Sequence, residues 1–143
     1  MWTYSITAGS MTDPFGNVRG VGYSGKGKGL NNPAYCDVHG GCRWNGSVWV
    51  PVPALTPDDW GPLPTGIYTR QLPPVDTTTH GPFVMWLTPD PSNQMFGRSE
   101  FGEHGDRVDA VGQFLASEGC IVEPHTLRLL ESQSVDIQLQ VTA

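Results

Sequence analysis

Glycine and proline interrupt this chain too often for long helices to form: glycine fills 18 and proline 13 of its 143 positions. An interior proline removes a helical hydrogen bond and clashes with the turn before it, and glycine weakens a helix by its extra unfolded-state freedom. Five prolines fall between Pro51 and Pro64, Pro73 and Pro74 follow, and Gly25 to Pro33 alternates glycine with lysine before Asn31-Asn32-Pro33. A mainly β, turn-rich fold with one or two short helices is expected, as a single domain over residues 1–143. Five Trp, five Phe and four Tyr supply the apolar surface for a packed core.

Hydrophobic periodicity marks the strands. Trp2, Tyr4 and Ile6 alternate with polar residues, as do Val135, Ile137, Leu139 and Val141, the pattern of half-buried strands. Phe83 to Leu87 is a short apolar run suited to a strand buried on both faces. Weaker strands are expected at Val18 to Tyr23, Ser47 to Val50 and Gly66 to Arg70, with extended chain from Gln94 to His104. Pro124 suits a helix first turn, and Leu127, Leu130 and Leu129 offer an apolar face through about Gln133. A short helical turn is also expected near Val108 to Leu115.

The net charge of −6 excludes nucleic acid as a partner, because phosphates need clustered lysine and arginine. Lys26 and Lys28 form the one local basic pair and read as a solvated loop. No stretch approaches the ~20 apolar residues of a membrane helix, so no membrane span is expected. The N-terminus lacks a basic start and an apolar run, so it reads as a strand and not as a signal peptide.

One pair of residues points to chemistry. His104 lies sixteen positions before Cys120, and both stand in glycine-flanked turns, His104-Gly105-Asp106 and Ser117-Glu118-Gly119-Cys120. A thiol is ~97% protonated at pH 7, so a nucleophilic cysteine needs an imidazole to take its proton or to hold the thiolate as an ion pair. Gly119 permits a sharp turn, the amides of Gly119 and Cys120 are candidates for an oxyanion site, and Ser117 is a candidate to support His104 or the substrate carbonyl. Taken singly, a cysteine is usually a small buried hydrophobe and a histidine a surface residue; His80 and His125 are read as surface residues.

The His-Gly … Ser-x-Gly-Cys pair resembles the signature of YkuD-type L,D-transpeptidases. The chain is more similar still to the small L,D-transpeptidase-class type VI secretion effectors (Tlde). The resemblance runs in order through Gly22-Tyr23-Ser24-Gly25-x-Gly27, Asn31-Asn32-Pro33, Gly61-Pro62-Leu63-Pro64-x-Gly66-x-Tyr68, Gly81-Pro82-Phe83 and Leu87-Thr88-Pro89. It continues through Asn93-x-Met95-Phe96-Gly97-Arg98-Ser99, His104-Gly105-Asp106 and Ala116-Ser117-Glu118-Gly119-Cys120-Ile121, covering about residues 2–130. The resemblance implies a YkuD-like β-sandwich or barrel and attack by Cys120, with His104 as base and Ser117 as supporting hydroxyl. The bond attacked would join the third residue of a peptidoglycan stem peptide to the terminal D-alanine. Tyr23, Asn31, Arg98, Gly105 and Asp106 would line the cleft, whereas Tyr68 reads as core.

No cofactor is implied. The partners implied are peptidoglycan stem peptides, a cognate immunity protein and a secretion-spike protein, with synthesis in the cytoplasm and action in a target bacterium's periplasm. A phage- or host-borne wall remodeller of the same fold, or a non-catalytic peptidoglycan-binding module, are the competing readings.

Two departures stand out. Glu118 and Val122 replace the His before Gly-Cys and the Arg two residues after the cysteine in ordinary cell-wall enzymes, and the effector-like proteins share the Glu. The segment at about 34–60 looks like a loop insertion and carries Cys36, Asp37, His39 and Cys42. Cys36 and Cys42 could form a disulfide or stay free, and with His39 they offer three metal ligands at an uncommon spacing, so no metal site is assigned.

Overall fold

The alternation of Trp2, Tyr4 and Ile6 sends all three side chains inward, each 3% exposed or less, and makes the first strand one of the central pieces of the fold. The structure is a computed structural model describing all 143 residues. It contains β1 (Trp2–Ser5), β2 (Ser10–Thr12), β3 (Val18–Val21), β4 (Tyr23–Ser24), β5 (Val38–His39), β6 (Cys42–Trp44) and β7 (Trp49–Pro51). There follow β8 (Gly66–Arg70), β9 (Val75–Thr77), β10 (Gly81–Pro89), β11 (Gly102–His104), β12 (Ile121–Val122), helix α1 (His125–Ser132) and β13 (Gln138–Thr142). Ten strands form one sheet in the order β3-β2-β1-β13-β8-β10-β11-β12-β4, with β9 added on β10. The expected mainly β single domain is what the chain adopts.

Strand β10 is long enough to join two wings. Its residues Leu87 to Pro89 pair with β8, and Met85 and Trp86 pair with β11. Tyr4, Tyr68 and Leu139 from one wing and Ile121 from the other meet in a single apolar cluster with Leu63, Phe101 and Leu127. Tyr68 is core as expected, its hydroxyl donating to the Pro64 carbonyl at 2.7 Å. β1 and β13 lie parallel with Trp2 opposite Leu139 and Tyr4 opposite Val141, so inward positions stack on inward positions.

Several elements differ from expectation. β13 starts at Gln138: Val135 is fully exposed, and Asp136 is drawn instead to the N-terminal ammonium at 2.7 Å. In β10 only Val84, Met85 and Leu87 are buried, because a register shift between Gly81 and Val84, with Phe83 at φ 58°, turns Phe83 and Trp86 partly outward. Only the last three residues of Gln94 to His104 form a strand, and a turn through Phe96-Gly97 occupies the first part. The segment Val108 to Leu115 makes turns and no helix. Helix α1 follows Pro124 and buries Leu127 as expected, but the face it buries also carries Arg128 and Glu131.

The 34–60 segment is more than a loop. β5, β6 and β7 make a second antiparallel sheet, with His39, Trp49, Trp44 and Trp60 packed ring on ring. Lys28 is not simply solvated: its backbone amide donates to Asp59 and its ammonium to the Ala54 carbonyl, fastening its loop to this sheet. Cys36 and Cys42 are free thiols rather than a disulfide. Cys36 turns into the apolar cluster and donates to the Leu63 carbonyl, while Cys42 opens β6 opposite His39, so the two thiols serve different layers.

Beneath β11 and β12 lies a buried charged set. Arg70 donates to Glu103 at 2.7 Å and to Glu131 at 2.5 Å, and Glu103, Glu123 and Glu131 bring carboxylate oxygens within 4.8 Å of one another. Arg70, Glu103 and Glu131 have no exposed side-chain surface. Burial, then the neighbouring carboxylates, push Glu123 and Glu131 well above the ordinary carboxyl range, while the Arg70 charge holds Glu103 below it against the burial cost. Pushing two of the three carboxyls toward their protonated form reduces the negative charge that the buried Arg70 guanidinium has to offset.

Candidate active site

Strands β11 and β12 are parallel neighbours with Glu103 opposite Ile121 and His104 opposite Val122. That register explains how residues sixteen positions apart meet: His104 ends one strand, Cys120 immediately precedes the other, and the Gly102 amide donates to the Cys120 sulfur at 3.3 Å. Successive strand residues point to opposite faces. Glu103 therefore enters the charged interior, and His104 turns to a cleft of about 1580 Å³ whose lining includes Cys120, His80, Trp86, Glu100 and Arg128.

The imidazole Nδ1 of His104 lies 2.8 Å from the Gly105 carbonyl. A carbonyl only accepts, so Nδ1 carries the proton and Nε2 keeps its lone pair. Burial, with a smaller opposing contribution from that same hydrogen bond, holds the His104 pKa below its ordinary value. Burial pushes the Cys120 thiol up to about 11, partly offset by the Gly102 amide and the Arg98 charge. At neutral pH the resting pair is therefore thiol and neutral imidazole rather than an ion pair. The thiol donates to the Glu100 carbonyl at 3.7 Å, from a Glu100 backbone held at φ 64°. Alkylation of Cys120 by a small haloacetamide should climb about tenfold per pH unit through neutrality and level off only near pH 11; a plateau below pH 7 would show a resting thiolate instead.

The remaining expected site residues hold the site's shape. Ser117 is fully buried and does not reach His104; its hydroxyl accepts from the Gly25 and Gly119 amides and donates to the Cys120 carbonyl. The Gly119 amide, expected as an oxyanion donor, is thereby spent inside the turn. Gly119 has φ +126°, and a Cβ there would meet Arg98 and Phe101 at 2.5 Å, so packing requires the glycine. Arg98 gives its terminal N–H groups to the carbonyls of Cys36, Pro62, Gly61 and Glu118, stapling the 34–62 region to the cysteine turn rather than reaching for substrate. Tyr23 donates to Asp106 at 2.7 Å and accepts from the Ala116 amide, which clamps the 106–116 loop beside the cleft. Asn31, at φ 50°, accepts from the Ser24 amide away from the cleft. Gly105 lines the cleft, and a Cβ there would lie 2.9 Å from Arg128.

Two cleft residues were not identified from sequence. Arg128 is anchored through Nε to the Glu123 carbonyl and through Nη1 to the carbonyls of Pro82 and Phe83, leaving Nη2 beside Gly105 with no hydrogen-bond partner. His80 is not a plain surface residue: its ring meets His104 edge-on with centroids 5.1 Å apart. The only local signal was the dipeptide His80-Gly81, which His39-Gly40 shares with His104-Gly105. His125 is exposed as expected, edge-on to Phe83 at the cleft wall.

Compared with known proteins, the chain matches no family model, no curated protein and no solved structure.

Proposed function

We propose that the chain is an L,D-transpeptidase-type enzyme that opens the L,D-peptide bond before the terminal D-alanine of peptidoglycan tetrapeptide stems. The observation that carries this reading is the β11–β12 register, with the Cys120 thiol beside the His104 imidazole in the wall of an open cleft. A thiol and a neutral imidazole with a free Nε2 are the resting partners of general-base attack.

His104 Nε2 takes the thiol proton as sulfur bonds to the carbonyl carbon. The tetrahedral oxyanion is received by the Cys120 amide. Collapse breaks the C–N bond, the proton passes from His104 to the departing D-alanine amine, and a thioester remains. Water attacking the thioester gives a carboxypeptidase product; an amine gives exchange or a crosslink. Arg128, fixed on three carbonyls with one terminal nitrogen free, suits the carboxylate of the leaving D-alanine. The order of the sequence blocks favours an antibacterial effector acting in a target bacterium's periplasm, accompanied by an immunity protein and a secretion-spike partner.

Incubating purified tetrapeptide muropeptides with the protein tests the bond assigned. Mass spectrometry should find the loss of one alanine, or its exchange for an added D-amino acid. Muropeptides left unchanged would replace this reading with a non-catalytic wall-binding module.

A further inference from the structure

The cleft holds a second imidazole that the proposed chemistry leaves unused. His80 lies at the turn between β9 and β10, half-buried, edge-on to both Trp86 and His104 with centroids 5.1 Å away in each case. One ring nitrogen of His80, one of His104 and the Cys120 sulfur all lie within 4.8 Å of one another. Both rings are also steadied from behind. His104 Nδ1 donates to the Gly105 carbonyl at 2.8 Å, and His80 Nδ1 lies 2.8 Å from the Thr79 hydroxyl. When that hydroxyl accepts from Nδ1–H, each ring keeps an Nε2 lone pair for a ligand. An outer oxygen on Nδ1 is the usual way a protein orients a metal-binding histidine.

We propose that His80, His104 and Cys120 form a three-ligand site for a thiophilic divalent cation of the zinc class, and that an ion bound there caps the thiol. Two imidazoles and a thiolate suit a borderline-soft ion, and the open cleft leaves water as a fourth ligand. Zinc–sulfur and zinc–nitrogen bonds put tetrahedral ligand atoms roughly 3.4–3.6 Å apart. The three atoms must therefore close by about an ångström, which His80, on its exposed turn, can supply. On binding, the thiol proton is released to solvent and the sulfur–metal bond takes its place, so affinity rises with pH. In the other close set of ligand atoms, Glu103 and Glu131 are already paired with Arg70, and with Glu123 they lie closed off in the interior, so that set carries no such reading. That the capped group is a nucleophile rests on the function proposed above; binding of the ion does not.

The test is a cobalt(II) titration of the full chain carrying Cys42→Ser, which removes the half-exposed thiol outside the cleft. A sulfur-to-cobalt charge-transfer band should appear, zinc should displace it, and zinc should protect Cys120 from alkylation. His80→Asn should weaken cobalt binding by at least about tenfold, and Cys120→Ser should abolish the band. No band, an unchanged affinity in His80→Asn, or a band surviving Cys120→Ser would overturn the proposal. None of these readouts needs turnover. A cobalt band alongside inert muropeptides would uphold the metal site and sink the enzyme reading, and the reverse pattern would do the opposite.

Discussion

Cys120→Ala is expected to leave tetrapeptide stems intact, with turnover down roughly 10⁴-fold or more, because no other group in the cleft can form the thioester. The protein should remain folded. The thiol is small, 6% exposed, and its loss costs two weak contacts, leaving the Gly102 amide short of an acceptor and the Glu100 carbonyl short of a donor. His104→Ala should cost about 10²–10⁴-fold, the usual worth of a general base, and the smaller loss would show that the thiol attacks sluggishly without proton acceptance. Because burial holds the His104 pKa below its ordinary value, the imidazole stays neutral to lower pH than a free histidine. The acid limb of the rate profile should therefore fall below pH 6.5, the ordinary histidine value. Turnover in Cys120→Ala within about tenfold of wild type would remove Cys120 from the chemistry.

Arg70→Met should be the most destabilising single change outside the cleft. It leaves the ionised Glu103 buried without its counter-charge, and breaking such a pair costs about 3–5 kcal/mol where folded domains are stable by about 5–15. Chemical denaturation should show a large fall in midpoint or no folded baseline. Glu123→Gln should behave oppositely. An acid whose folded pKa is raised subtracts stability as pH climbs above its unfolded value of 4.5, so replacing it with a neutral isostere removes that loss. The variant should melt higher than wild type at pH 8, on the order of 5 °C, with the gap closing near pH 4. A gap independent of pH would mean that Glu123 is ionised in the folded protein.

The strands that were legible in the sequence are those whose alternation meets a single buried face. Trp2, Tyr4 and Ile6 declared β1, and Leu139 and Val141 declared the buried part of β13. The alternation over Val135 and Ile137 misled because Val135 stands fully in solvent and Ile137 is covered only in part. His104 and Cys120 were legible because glycines around both freed them from core duty. The roles of Ser117, Arg98 and Tyr23 were not, since each is fixed in part by a carbonyl, amide or carboxylate brought in by chain distant in sequence; Asn31 is held within its own loop by Ser24. The charged interior was least legible: no local pattern marks Arg70, Glu103, Glu123 or Glu131 as buried, and only β8, β11, the β12–α1 connection and α1 together enclose them. His80 was hidden for a similar reason. Its partner is the pairing of β10 with β11, which no local pattern announces.

Intact-protein mass spectrometry during turnover addresses the covalent step itself. Wild-type protein quenched in acid should carry an adduct equal to the tetrapeptide substrate less one D-alanine, and peptide mapping should locate it on the Cys120 sulfur as a thioester cleaved by hydroxylamine. D-alanine release with no adduct on Cys120 in the wild type, together with undiminished release from Cys120→Ala, would contradict it.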